Sequence, residues 1–209
     1  MGTSGRVLAA LVVVAVAGPA RSAMATEQPQ YKVTVKFDAF EVRDYAPYLV
    51  AETEVEGDRQ EAGNLGFRRL AGYIFGKNSG SKEIAMTAPV AQSEAGTKIA
   101  MTAPVVQAPS GAGRFTVQFM MPAQYGLEDL PKPDDAAIRF RQMPARRVAA
   151  ITYSGTWSER RYLDHLEKLR AAMRREGLEA IGEPVWARYD PPFKPWFLRT
   201  NEILVEVRQ

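Results

Sequence analysis

The side chains that most often carry chemistry are scarce in this 209-residue chain. It contains no cysteine, and His165 is its single histidine. The sequence therefore excludes thiolate and multi-histidine metal sites, a cysteine nucleophile and disulfides. A Ser-His-Asp triad would have to use this single histidine. Acids are more numerous, but Glu52, Glu54 and Glu56 alternate along one strand face that is predicted to be exposed to solvent. The sequence therefore favours a binding protein over an enzyme.

Alternating and helical patterns predict the elements that must position any site. Alternation from Tyr31 to Phe37 and from Leu49 to Val55 predicts half-buried strands. Asp58, with Glu61 three residues later, predicts the start of an amphipathic helix over about residues 59–75. Further strands are predicted at 84–90, 99–105 and 115–121.

The second half of the chain repeats the first at a shift of 98 residues. Gly57 falls on Gly155, and a second helix is predicted after a cap at Thr156, with Leu163, Leu166, Leu169 and Met173 as its buried stripe. His165 lies about 90° from the centre of this stripe, which predicts a histidine at the border of the buried face. The predicted order of elements in each half is strand, strand, helix and then further strands. The repeat predicts one α+β domain with two pseudo-symmetric halves.

The N-terminus has the pattern of a secretory signal peptide. Arg6 precedes the apolar run Val7–Ala17, and small residues lead to a predicted cleavage after Ala25, leaving 26–209 as a single domain. As a membrane anchor, the run would rise only about 16 Å, roughly half the hydrocarbon thickness. We therefore expect a periplasmic or secreted protein. Removing 1–25 also lowers the formal net charge of +3 by two, so charge gives little reason to expect a nucleic-acid partner, and no later segment is predicted to span a membrane.

Several motifs are similar to those of the SOUL haem-binding protein family. They are Phe40-Glu-Val-Arg-Asp-Tyr-Ala-Pro47, the segment 66–78, the two Met-Thr-Ala-Pro-Val segments, Phe119-Met-Met-Pro122, Tyr189-Asp-Pro-Pro-Phe-Lys-Pro195 and Arg199-Thr-Asn-Glu-Ile203. The resemblance runs from about Tyr31 to Val207. It implies a distorted antiparallel β-barrel or sheet with two helices, built from two strand-strand-helix-strand halves. It also implies haem or a related porphyrin as a ligand.

The resemblance transfers only part of the family's ligand set. The position of an axial histidine proposed for one branch is Asp44 here. In another branch, haem lies against the first helix, and two basic residues on that helix and one in the Asp-Pro-Pro-x-Lys-Pro loop meet its propionates. The helix positions correspond to Asn64 and Gly72, so only Lys194 is retained.

A porphyrin is a flat apolar disc with two carboxylates, so its site needs apolar walls and one or two cations at the rim. The candidate site residues are Asn64, Phe67, Arg68, Ala71, Ile74, Lys194, Trp196, Phe197 and Arg199. The iron ligand is left open among His165, Tyr45, Tyr48, Tyr73, Met86 and Met101. We expect an exported, non-catalytic binding protein for haem or a related tetrapyrrole. The alternatives are a module for another amphipathic small molecule and a tetrapyrrole-modifying enzyme, and the oligomeric state is left open.

Overall fold

The computed structural model describes residues 27–79, 99, 101–191 and 193–208. Its two helices are α1 (Arg59–Ile74) and α2 (Glu159–Arg175). The strands are β1 (Tyr31–Lys36), β2 (Glu41–Tyr45), β3 (Tyr48–Glu56), β4 (Asn78–Ser79), β5 (Val105–Gly111), β6 (Arg114–Met120), β7 (Lys132–Pro133), β8 (Ile138–Met143), β9 (Arg146–Ser154), β10 (Val185–Arg188) and β11 (Thr200–Glu206). The predicted signal peptide and the predicted strand at 84–90 lie outside the described residues.

Nine of these strands form one antiparallel sheet, and β4 pairs with β7 separately. The order in the large sheet is β1-β2-β9-β11-β10-β5-β6-β3-β8. In the repeat, β2 and β3 of the first half correspond to β8 and β9 of the second half. Each first strand pairs with the second strand of the other half: β2 pairs with β9, and β8 pairs with β3. Strands β5 and β10 join the two halves at the centre. The curled antiparallel sheet with two helices confirms the predicted α+β architecture, and the strand exchange interlocks its halves.

The turns before the helices confirm the register of the repeat. Gly57 and Gly155, 98 positions apart, follow β3 and β9 with φ angles of 134° and 126°, a region that favours glycine. Asp58 then caps α1 by accepting a hydrogen bond from the Glu61 amide at 2.8 Å. The predicted cap at Thr156 is wrong, because Ser158 caps α2 instead. Two extra residues therefore separate the second glycine from its helix.

The buried face of α2 also differs from the prediction. Leu163 is half exposed, and the buried residues are Tyr162, Leu166, Leu169, Ala172 and Met173. The face is rotated because Tyr162 packs against Trp186 of β10, with ring centroids 5.3 Å apart. His165 lies at the border of this face, as predicted: it is partly buried and its ring stacks on Tyr153 at 4.1 Å.

The region before β5 is not the strand that alternation predicted over residues 99–105. Residues 101–104 form no strand, and β5 begins at Val105. Pro104 lacks the amide that a sheet ladder needs, which is consistent with this later start. The non-strand residues run along the side of α1, where they contribute to the cleft described below.

Helix α1 packs on β3 and β6, and α2 packs on β9 and β11. Helix α1 packs into the core through Leu70, Tyr73 and Ile74, which are buried. Gly66 allows the helix to approach the sheet closely, because an added Cβ would lie 2.5 Å from a methyl group of Val117. Among the described residues, neither helix is both long and apolar enough to cross a membrane.

Candidate ligand-binding site

A largely apolar cleft lies beside the N-terminal half of α1. Its volume is about 540 Å³, within the range of roughly 300–1,000 Å³ typical of small-molecule sites. Four separate parts of the chain form it: the first helix, the second Met-Thr-Ala-Pro-Val segment (101–105), the turn before α2, and the end of β10 with the loop that follows it. The lining residues are Gly63, Asn64, Phe67, Met101, Thr102, Ala103, Val105, Trp157, Arg188, Tyr189, Asp190, Pro191 and Phe193.

The helix contributes one face to this cleft. Gly63, Asn64 and Phe67 lie within little more than one turn of α1, so they share a side of the helix. The ring of Phe67 packs against Phe119 of β6, with centroids 5.5 Å apart. Its orientation is therefore held by the core while part of the ring remains available in the cleft.

Arg188, the last residue of β10, is the cation that lines the cleft. Its guanidinium lies over the Trp186 ring at 4.1 Å and near the Trp157 ring at 5.2 Å. Gly63 makes room for it, because a Cβ at that position would lie 3.2 Å from an Arg188 nitrogen. Burial lowers the pKa of Arg188 to about 10, and repulsion from Arg59 adds to this effect. The side chain is nevertheless protonated at neutral pH.

Two further polar residues at the cleft, Asp190 and Tyr189, are engaged by hydrogen bonds within the protein. Asp190 accepts hydrogen bonds from the Lys194 ammonium and the Thr200 amide, both at 2.5 Å. The Tyr189 hydroxyl donates to Glu202 at 2.5 Å, and burial raises the pKa of that hydroxyl well above its usual range. Asp190 is therefore neutralised locally, and Tyr189 stays un-ionised near neutral pH.

The structure brings Asn64 and Phe67 together in the cleft but places the other predicted helix residues elsewhere. Ala71 is buried, and Ile74 is 1% exposed in the core, so Ile74 leaves almost no surface for a ligand. Arg68 is exposed on α1 and is not among the lining residues.

None of the predicted residues near the C-terminus is among the described lining residues, although two of them contact residues that are. Lys194 pairs with Asp190, and the Arg199 guanidinium lies over Trp157 at 4.3 Å. Trp196 and Phe197 are more than half exposed and pack edge to face against each other, with centroids 5.6 Å apart. A ligand role for these residues remains a prediction.

Sequence reasoning did not assign Arg188 and Trp157 to the site. A signal for Arg188 was available, since it directly precedes the Tyr-Asp-Pro-Pro motif. Trp157 is one of the two extra residues that separate Gly155 from the Ser158 cap of α2. This insertion is recognised only when Ser158, and not Thr156, is taken as the cap.

The described lining residues suit an amphipathic ring-shaped ligand, but they do not form a defined set of iron ligands. No group of three or more metal-binding acids or histidines occurs in the described ranges. Of the open iron ligands, Met101 lines the cleft and is 45% exposed, whereas Tyr45 and Tyr73 are buried. Met86 lies outside the described residues. Asp44, at the position of the family's proposed histidine, is held by two hydrogen bonds from Arg147 at 2.7 and 2.9 Å, which lower the pKa of its carboxyl.

Similar solved structures share the fold at low sequence identity. The C-terminal domain of EcmrR superposes with a TM-score of 0.58 and 10% identity, covering 86% of this chain and 98% of that domain. A hydrolase from Listeria innocua superposes with a TM-score of 0.52 and 13% identity, covering 84% of this chain and 94% of the hydrolase. These similarities support the architecture alone.

Sequence comparison is more specific. Mouse heme-binding protein 2 is 28% identical over 197 residues, which cover 87% of this chain and 90% of the mouse protein. The human heme-binding protein 2 is 26% identical with the same coverage. The model of the SOUL heme-binding protein family matches residues 26–95 and 91–206, nearly all of the chain after the predicted signal peptide. This chain therefore belongs to the SOUL heme-binding protein family.

Proposed function

We propose that this protein is an exported, non-catalytic binding protein that holds haem or a related tetrapyrrole in the cleft beside α1. The observation that carries the proposal is the 540 Å³ cleft with apolar and aromatic lining on the first helix, where the family resemblance places the ligand. Phe67 and Phe193 offer apolar surface on different elements, as a flat ring requires.

The relatives support the identity of the ligand. Both heme-binding proteins match this chain along most of their length. Their names refer to the compound that the cleft's apolar character suits. When bound, haem would supply its own redox and ligand chemistry, whereas the protein would supply an apolar surface and a cation.

A non-catalytic role is consistent with the polar groups of the cleft. A general acid or base must reach the proton that it transfers. Tyr189 and Asp190 are instead occupied by hydrogen bonds within the protein. We therefore favour binding over a tetrapyrrole-modifying enzyme, and an unchanged mass of recovered porphyrin after incubation is the expected result.

Titration of the purified protein with hemin and with iron-free protoporphyrin tests the ligand. We expect saturable changes in the Soret region with both compounds. Phe67→Ala should weaken both, because Phe67 lines the cleft. Phe197→Ala is the matched control, since that exposed aromatic ring lies outside the cleft lining.

Three results would count against the proposal. If neither compound bound, the tetrapyrrole function would be wrong. If Phe197→Ala abolished binding while Phe67→Ala did not, the ligand would lie at the C-terminal loop. If protoporphyrin failed but hemin bound, iron ligation rather than the apolar cleft would dominate, and Met101→Leu would then test the candidate iron ligand that the described residues place on the cleft.

Export rests on the signal-peptide pattern of residues 1–25. Expression with its own N-terminus should give exported protein that begins at Thr26. Mass spectrometry of the intact protein measures this directly, and a mature product that still began at Met1 would contradict export by cleavage.

A further inference from the structure

We infer that the ligand of the cleft is an amphipathic organic acid and that Arg188 binds its acid group. This inference rests on the proposed placement of a ligand in this cleft. It goes further by assigning the acid group of the ligand a binding residue of this chain that the sequence did not reveal.

The first argument is the lack of a counter-ion. No Asp or Glu among the described residues comes within ion-pair distance of the Arg188 guanidinium. Among the described residues, its hydrogen bonding is limited to a long contact of 3.5 Å to the Gln107 side-chain oxygen. Its Nε is buried without a partner. A partly buried cation whose Nε has no acceptor and which has no acid nearby is costly, so such groups usually have a partner.

The second argument is that the surrounding residues hold the guanidinium in place. Trp186 and Trp157 contact its face, and Gly63 leaves the space that its nitrogens occupy. A fixed guanidinium can donate two parallel hydrogen bonds to a carboxylate, with little further ordering on binding.

The third argument is the balance of charge at the cleft. Asp190 is the acid among the lining residues, and Lys194 and the Thr200 amide already satisfy it. Arg59 lies close enough to Arg188 to repel it. The local field therefore favours an anion, while the remaining lining favours an apolar body, and these two features together describe an amphipathic acid.

The test uses two fluorescent probes that differ by one sulfonate: 8-anilinonaphthalene-1-sulfonate (ANS) and neutral N-phenyl-1-naphthylamine (NPN). Titrations of the folded protein give the dissociation constants of both, and mutual displacement shows whether they share a site. Arg188→Gln should weaken ANS by about tenfold or more and leave NPN nearly unchanged. Arg160→Gln, which removes an exposed arginine from α2, is the matched control and should leave the ratio of the two constants unchanged.

A second variant covers a structural role of Arg188. Gln107→Glu supplies the missing carboxylate beside the guanidinium with little change in size, and it should also reduce the preference for ANS. If the near-UV circular dichroism of Arg188→Gln is native, the ratio of dissociation constants measured for Arg188→Gln decides the question. If that spectrum is not native, the ratio measured for Gln107→Glu decides it. An unchanged ratio of dissociation constants in the deciding variant would overturn the inference.

The result is separable from that of the hemin titration. An Arg188-dependent preference for ANS without hemin or protoporphyrin binding would refute the tetrapyrrole proposal and retain the acid site. Hemin binding with no such dependence would refute the acid site alone.

Discussion

Two arginine–carboxylate pairs in the same sheet should differ sharply in their effect on stability. Arg43 of β2 donates to both carboxylate oxygens of Glu202 on β11, at 3.0 and 2.9 Å, and both side chains are almost fully buried. Asp44 pairs equally closely with Arg147, but both of those side chains are substantially exposed. We predict that Glu202→Gln destabilises the protein strongly and that the matched change Asp44→Asn has a much smaller effect.

The magnitude follows from the charge that the first substitution leaves behind. Removing one partner of a buried pair costs about 3–5 kcal/mol, because the other charge stays desolvated. Glu41 remains 3.1 Å from Arg43, which places the expected cost near the lower end of that range. Thr152 and Tyr189 also donate to Glu202, each to a different carboxylate oxygen, so glutamine, with its single side-chain oxygen, can retain only one of these two hydrogen bonds. A loss of about 3 kcal/mol is a large part of the 5–15 kcal/mol typical of a folded domain.

Urea unfolding followed by circular dichroism measures the difference. With a slope of about 1–3 kcal/mol/M, Glu202→Gln should lower the midpoint by about 1–3 M without changing the slope. Adding Arg43→Met should recover part of the loss, since it removes the uncompensated charge. Equal effects of Glu202→Gln and Asp44→Asn, or no recovery in the double variant, would refute the argument from burial.

Three further predictions concern packing, pH and the histidine. Gly66→Ala should cost about 1–3 kcal/mol of unfolding free energy, because its Cβ would meet Val117 at 2.5 Å. Gly72→Ala in the same helix should be neutral or stabilising, since only the flexible Lys77 side chain lies near. Thermal unfolding would contradict this prediction if both changes shifted stability in the same direction. Burial raises the pKa of Tyr45 to about 12 from an ordinary value near 10, so its contribution to stability is complete below about pH 10 and is lost as the pH rises towards 12. The difference in absorbance at 295 nm between the protein and Tyr45→Phe reports this hydroxyl among the eight tyrosines, and it should appear together with unfolding followed by circular dichroism. A difference that appeared near pH 10 in the folded protein would contradict this. His165→Ala should leave the hemin titration unchanged, because the ring stacks on Tyr153 rather than lining the cleft, and loss of the Soret change would show that the second helix carries the ligand.

Local patterns predicted most of the fold. Alternation along β3, the Asp58 cap and the glycines before both helices depend on neighbouring residues, so their spacing is visible in one sequence. The error in the buried face of α2 had a non-local cause. The face of α2 is set by the packing of Tyr162 against Trp186 on another element, and spacing within the helix does not specify that contact.

The candidate site was less predictable because its residues come from separated segments. Family motifs led to Asn64 and Phe67, which line the cleft, and to Lys194, which pairs with Asp190 beside it. The surroundings of Arg188 depend on the pairing of β10 with β5 and on the space that Gly63 leaves, and no local pattern specifies these contacts. Its lack of a counter-ion is a property of the assembled fold.

The cleft has a physical origin in the divergence of the two halves. Counting from the first residue of each helix, Ala62 and Gly66 of α1 correspond to Tyr162 and Leu166 of α2, and all four are buried. Small residues let α1 lie close to the sheet, as the near contact of Gly66 with Val117 shows, whereas large side chains fill the space beneath α2. Gly63 continues the small-residue surface to the cleft, where it accommodates Arg188. Both helices of the duplicated architecture thus complete a core, and the small residues of α1 also leave it bordering the cleft.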